Sequence, residues 1–294
     1  MALTKTEGAK LSQDMLLRGV IETIVKESQI LNFLPFMEVT GTSVSYVREA
    51  TMPAASFYAV GDDWTEATPT FSRTSATLTI LGGDADVDNF LQQTFSSVND
   101  LEAEVIANRA KAIAHRFSEC FITGDGTSNT FKGVDSLIPA GQTLSMGTNG
   151  AALTFDKLDE LIDAVKPGKP ELLLMSKRTR RKLKSLRRGD SISYEMQLNA
   201  FGQMVETYDG IPIVVDDFVP DNQTQGSGSN LSSIYAMKFG IGTGLMGLEN
   251  GGIQIERVGE LETKDATRTR IKWYCGLALY SELGAAKLTG ITGA

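Results

Sequence analysis

Side chains that hold or move charge are the ones that do chemistry, and this sequence has few of the usual sets. Its one histidine is His115, which removes chemistry needing two imidazoles, such as HExxH zinc sites, His-rich metal sites and facial triads. A Ser-His-Asp or Cys-His triad would have to use His115, and the helical stretch around it predicts a surface or capping role instead. Cys120 and Cys275 are the only cysteines, too few for a disulfide framework or a Cys-rich zinc site, which fits a reducing compartment. Gly242-Thr243-Gly244-Leu245-Met246-Gly247 matches GxGxxG, but dinucleotide binding needs a helix to open there, and LENGGIQIERV reads as a turn and a strand. Asp84, Asp86 and Asp88 are spaced like the first ligands of a calcium loop. Asn89 stands where that loop needs Gly and Phe95 where it needs Glu, so a solvated strand edge is expected, with an adventitious cation as the alternative. GxSxG and GxxxxGK[ST] are missing, and nothing singles out a catalytic pair among the 36 acidic residues. No catalytic, cofactor or metal residue is therefore assigned.

The one strong local signal is electrostatic. Eight basic residues (Lys177, Arg178, Arg180, Arg181, Lys182, Lys184, Arg187 and Arg188) fall within a chain of formal net charge −8 and pI about 4.9. The chain as a whole repels nucleic acid and anionic membrane, so the cluster has three readings. It is a solvated helix face, or it pairs with acids of a neighbour such as Asp216, Asp217 or Asp221, or it touches phosphate. Arg180, Arg181, Lys184, Arg187 and Arg188 are the candidates for neighbour or DNA contact.

The elements that must position these residues come from periodicity. At 294 residues, 41% hydrophobic and 22% charged, the chain has globular composition and room for one large or two ordinary domains. No apolar run approaches the roughly 18 residues of a membrane span. The opening MALTKTEGAK lacks the apolar core and cleavage site of a secretory signal. Residues 11–31 carry Leu17, Ile21, Ile24, Val25 and Leu31 at helical spacing, and Pro35 stops that helix inside a cluster of Phe33, Leu34, Phe36 and Met37. This is an amphipathic arm that must bury its stripe against something.

From Val44 to Leu81 the pattern alternates, breaks into a loop with Phe57, Tyr58 and Trp64, and alternates again from Phe71 to Leu81, a return strand of roughly 35 Å. A lone two-stranded ribbon is marginal in water, so it should lie on another surface, and a neighbouring subunit could supply one. Asn99–Phe121 is the best helix, with Asn99 as its expected N-cap and Gly124 as its stop. A second amphipathic helix spans 154–166, capped by Thr154, followed by a buried strand at Glu171–Met175 and a helix at Thr179–Leu186 with Leu183 and Leu186 inward. Ile211–Val215, Ser233–Phe239, Gly252–Val258 and Thr267–Tyr280 read as strands, and DNQTQGSGSN (221–230) as a flexible surface loop. The order of elements gives an α+β fold.

Several segments, in this order, resemble the major capsid proteins of tailed bacteriophages, with the Hong Kong 97-type shell fold. ASFYAVGDDWTEATPTF (55–71) is similar to the tip of that family's extended loop, and 99–134, ending in Gly-Asp-Gly and Lys-Gly-Val, to its spine helix and exit turn. LLLMSKRTRRKLKSLR (172–187), DGIPIVVDDFVP (209–220), 234–258 and RTRIKWYCGLALYSELGAAKLTGI (268–291) resemble its axial-domain elements and last strands.

The resemblance implies an N-terminal arm (1–43), an extended loop (44–81), a peripheral domain with the spine helix (82–150), an axial domain (151–250), and peripheral strands with a last strand returning to the axial domain (251–294). It implies a non-catalytic shell subunit assembling into pentamers and hexamers around packaged double-stranded DNA, in the virion after assembly in the host cytoplasm, with a separate scaffolding protein and a portal and no membrane. Neighbour contacts would come from Phe57, Tyr58, Trp64 and Phe71 of the loop and from Leu17, Ile21, Ile24 and Phe33 of the arm. Some members cross-link their shells through a loop lysine. Here 44–81 holds only Arg48 and Arg73 as bases, so no such cross-link is expected. An encapsulin-like nanocompartment shell and a soluble α+β enzyme are the alternative functions.

Overall fold

The computed structural model describes residues 19–21, 23–24, 28–51, 53–95, 101–189, 195–198 and 204–293. Its strands are β1 (Phe36–Glu38), β2 (Ser43–Thr51), β3 (Thr70–Thr77), β4 (Thr79–Asp88), β5 (Thr143–Ser145), β6 (Leu172–Met175) and β7 (Glu195–Leu198), followed by β8 (Met204–Tyr208), β9 (Ile211–Val215), β10 (Gln223–Gln225), β11 (Gly228–Met237), β12 (Leu245–Leu261), β13 (Lys264–Leu279) and β14 (Ala285–Ile291). The main helices are Asn89–Phe95, the long helix Leu101–Thr123, an acidic helix Phe155–Ala164 and a basic helix Lys177–Gly189. The mixture is α+β, as the sequence implies.

The smaller sheet has the order β1-β12-β13-β4, built on the long antiparallel hairpin β12–β13. The long helix lies on it because Ile106, Ala110, Ile113 and Phe117 recur every three or four residues and form one buried stripe. Its upper half meets Ala85 and Ile271, and its lower half packs Phe117 against Trp273, with ring centroids 4.8 Å apart. The helix ends at Gly124, whose backbone accepts a hydrogen bond from the Gly133 N–H at 2.8 Å. A Cβ at Gly124 would lie 2.3 Å from the Phe131 carbonyl oxygen, so the crossing needs glycine. The expected N-cap at Asn99 lies outside the described residues.

The larger sheet has eight strands, in the order β5-β14-β11-β6-β9-β8-β7 with β10 beside β11. Strand alternation sends Leu172 and Leu174 of β6 to one face, shared with the long helix's aromatic end, and Leu173 and Met175 to the other. That second face is covered by the acidic helix, through Leu158, Leu161 and Ile162, and by the basic helix, through Leu183. Each fully buried leucine here contributes roughly 1.5–3 kcal/mol.

Two expectations need correction. Residues 221–230 are not a loop, because β10 and the start of β11 pair there as a hairpin, with Gln225 opposite Gly228. The return strand of the ribbon is not one strand to Leu81. It divides at Leu78, whose N–H bonds Thr42 at 2.9 Å, so that β3 stays in the ribbon while β4 joins the smaller sheet.

Candidate assembly surfaces

The ribbon β2–β3 is a two-stranded sheet. Its base is tied down by its own chain. Tyr46 and Ala76 are buried with Val39, Leu248 and Ala278, and the Tyr46 ring lies 4.7 Å from that of Tyr280. Arg48 is the main anchor: its guanidinium donates to the carbonyls of Leu279 at 2.5 Å and Tyr280 at 3.2 Å and pairs with Glu282 at 2.8 Å. The sequence noted Arg48 only as a base that is not a lysine. An arginine on the same alternating face as Val44 and Tyr46 was the available signal for an anchor.

The tip is different. Phe57 is 107% exposed, Trp64 81% and Phe71 64%, with Val60 fully exposed beside them. The tip nevertheless has local order. Tyr58, half-buried, stacks on Trp64 at 4.5 Å, its hydroxyl lies 3.0 Å from Thr65 Oγ1, and the Ala59 N–H donates to Asp62 at 2.6 Å. Phe57, Val60 and Trp64 are thus large apolar side chains that their own chain leaves uncovered.

The arm behaves otherwise than expected. Leu17 lies outside the described residues. Ile24 is completely buried with Val20 against Ile106, Ala110 and Ile113 of the same chain, and Phe33 is half-buried on the main core. Expecting Ile24 to contact a neighbour is therefore corrected, because the long helix of its own chain already covers it. Ile21, 37% exposed, retains an outward face.

The basic helix also settles differently from its sequence pattern. Lys177 pairs with Asp217 at 2.5 Å and Arg178 with Asp221 at 3.5 Å, so two of the three acids named as a neighbour's are engaged within the same chain. Arg187 is buried, donating to the Thr207 carbonyl at 2.7 Å, with Glu206 at 3.8 Å and the Tyr208 ring beneath it. Its reading as an outward contact residue is corrected: a cation that has lost water needs these partners. Lys184 reaches Glu206 at 3.2 Å, Arg180 is half-buried, and Arg181 and Arg188 are exposed.

The remaining chemical candidates resolve structurally. Asp84 and Asp86 lie on the edge strand β4 and pair across the sheet with Arg270 at 2.7 Å and Arg268 at 2.6 Å. Those hydrogen bonds hold both carboxyls below their usual range, so they stay charged as the rungs of a ladder that Lys272 and Glu256 continue at 2.9 Å. Asp88 accepts from the Phe90 and Leu91 N–H groups at the start of the short helix, and no group of metal-ligating side chains occurs among the described residues. His115 is exposed against the Phe218 ring at 5.5 Å, as its helical setting predicts. Both cysteines are free and buried, and burial pushes both thiols up, so neither is a ready nucleophile. Gly240–Gly244 forms turns that lead into β12, not a helix, which agrees with the turn reading of the glycine motif. No helix among the described residues is long and apolar enough to cross a membrane.

What this geometry offers is exposed apolar and charged side chains on a body of two main sheets and a two-stranded ribbon. The sequence agrees: residues 8–290 match the phage capsid family, and the chain belongs to that family. The fold recurs in the SrpI encapsulin of Synechococcus elongatus PCC 7942, at 18% identity over 90% of this chain and 88% of that one, with a TM-score of 0.73. It recurs in the capsid of a native GTA particle, at 16% identity over 92% and 91% with a TM-score of 0.65. The capsid of cyanophage A-1(L) shares it at 12% identity over 90% and 93%, with a TM-score of 0.70. No curated protein matches the chain. The protein is a shell-forming capsid protein with the Hong Kong 97-type fold.

Proposed function

We propose that this chain is the major head protein of a tailed double-stranded DNA bacteriophage, assembling in the host cytoplasm into pentamers and hexamers of an icosahedral shell, without catalytic turnover. The observation that carries the reading is the ribbon tip. Trp64, stacked on Tyr58, and Phe57 are left uncovered by their own chain, which a shell lattice would correct by burying them on the next subunit. Ile21 of the arm and Phe71 of the ribbon, both exposed, are further candidates for neighbour contact. In this reading 44–81 is the reaching loop, 82–150 and 251–294 make the peripheral part, and 151–250 the part around the capsomer axes. A separate scaffolding protein and a portal would direct closure. The net charge of −8 suits a wall that must not adhere to incoming DNA.

The second reading, a nanocompartment shell around protein cargo, draws on the encapsulin likeness. Electron microscopy of particles from the native source separates the two. DNA-filled heads with one portal vertex support the first, and cages containing protein and no genome support the second. A chain that stays monomeric at high concentration overturns both. Denaturing electrophoresis of mature particles should show the 31.7 kDa chain and no covalent ladder.

A further inference from the structure

The acidic helix and the basic helix lie on the same face of the larger sheet, and their outward faces carry opposite charge at the same spacing. On the acidic helix Asp156, Glu160 and Asp163 follow at four and three residues, all exposed. On the basic helix Arg181, Lys184 and Arg188 follow at three and four residues. The middle of each stripe is held by its own chain. Lys157 pairs with Glu160 at 2.5 Å, Tyr208 donates to the neighbouring Asp159 at 2.7 Å, and Lys184 reaches Glu206. The ends are uncommitted: Asp156, Asp163, Arg181 and Arg188 form no ion pair among the described residues. In both helices the free ends are seven residues apart, two turns or roughly 10.5 Å of axis.

We propose that the basic helix of one copy of this chain docks on the acidic helix of a second copy, with Arg181 and Arg188 meeting Asp156 and Asp163. The proposal rests on the shell reading and names a contact within it. The two stripes are different parts of one chain, so each copy can offer its basic helix to one neighbour and its acidic helix to the next. A head-to-tail contact of this kind makes a ring where its rotation closes. Each exposed pair is weak alone. Its effect is to fix register and reject wrong approaches, and a ring repeats it at every interface. Nucleic acid is the poorer partner for this stripe. Two free cations neutralise few phosphates, and the rest of the acidic chain repels them.

Charge reversal tests it. Arg181→Glu/Arg188→Glu and Asp156→Lys/Asp163→Lys change only exposed side chains, and unchanged thermal unfolding of the unassembled chain checks that they fold. Particle yield is read by sedimentation and electron microscopy at low and high salt. Each double variant is expected to lose at least about ten-fold in yield at low salt, because like charges now face each other, with a smaller loss at high salt. The chain carrying all four substitutions restores the pairing with its sign reversed and should recover to within about two-fold of wild type. Wild-type yield from either double variant, or no recovery in the fourfold variant, overturns the pairing while leaving the shell reading in place. Particles that assemble normally but lose only DNA retention reassign the stripe to phosphate and overturn it too. A wild-type chain that forms no particles removes the shell reading, and the pairing falls with it.

Discussion

The larger sheet is built mostly from short strands and the ribbon from two longer ones, yet only the first finishes its own core. On the sheet both faces of β6 are sealed, Leu172 and Leu174 on one side and Leu173 and Met175 on the other, all without exposure. On the ribbon the seal ends at Tyr46 and Ala76, and beyond Arg48 the large apolar side chains of the tip point into water. The same alternation therefore serves two ends. Where a second layer lies above it, alternation makes a core. Where none does, it leaves large apolar side chains exposed. The ribbon's far end is left uncovered by its own core.

The largest expected effect falls on the finished side. Leu173→Ala removes a fully buried side chain from the layer under both outer helices and should cost about 2–5 kcal/mol, read as a lower urea midpoint of the unassembled chain at unchanged slope. Next comes the boundary between the two regions. Arg48→Met keeps the stem but abandons the carbonyls of Leu279 and Tyr280. With its side chain only 14% exposed, a loss of about 1–3 kcal/mol is expected by the same measurement. If Arg48→Met proved silent, the ribbon would have to be anchored by packing at Tyr46 alone.

A smaller, pH-dependent effect belongs to the exit turn of the long helix. Asp125 accepts from the Thr127 hydroxyl at 2.5 Å, from the Thr127 N–H at 2.9 Å and from Thr130 Oγ1 at 3.1 Å, and these bonds lower its pKa from 3.8 to about 2. A depressed folded-state value means that the carboxylate's contribution is complete above about pH 4 and is lost as pH falls toward 2. Thermal unfolding of Asp125→Asn should therefore lose less stability between those two pH values than wild type does. An identical acid slope in both would show that the turn is held by the Gly124–Gly133 crossing rather than by the carboxylate.

How much of this was legible follows the same division. The long helix, the basic helix and the buried strand β6 could be read from periodicity because each lies on one continuous apolar surface. The tip aromatics could be read because Phe57, Tyr58 and Trp64 interrupt an alternating run with nothing nearby in sequence to cover them. What could not be read was pairing at a distance. Arg187 looks like its seven basic neighbours, and only the approach of Thr207 and Glu206 from β8 makes it a buried cation. Ile24 looks like an arm residue and is a core residue because the long helix passes over it. Gln223–Gln225 has loop composition and becomes a strand because β11 extends backward to meet it. In each case local composition was overridden by a contact far away in sequence.

The smallest effect on stability should coincide with a large one on assembly, and that contrast defines the tip. Phe57→Ser/Trp64→Ser removes two side chains that are 107% and 81% exposed, so the unassembled chain should change by no more than about 0.5 kcal/mol. Only the Tyr58–Trp64 stack, at 4.5 Å, is lost within the monomer. If the tip is buried on a neighbour, the same change removes the aromatic anchors of that contact, and such anchors dominate interface energetics. Shell yield at equal protein concentration should then fall by at least about ten-fold, since losing one anchor of about 1.4 kcal/mol already costs that factor at a single contact. Restoring Trp64 alone should recover more than restoring Phe57 alone, because Trp64 is held in place by Tyr58 and loses less freedom on docking. A variant that assembles like wild type would mean that the ribbon's exposed end stays in water in the shell as well, and that its order serves only itself.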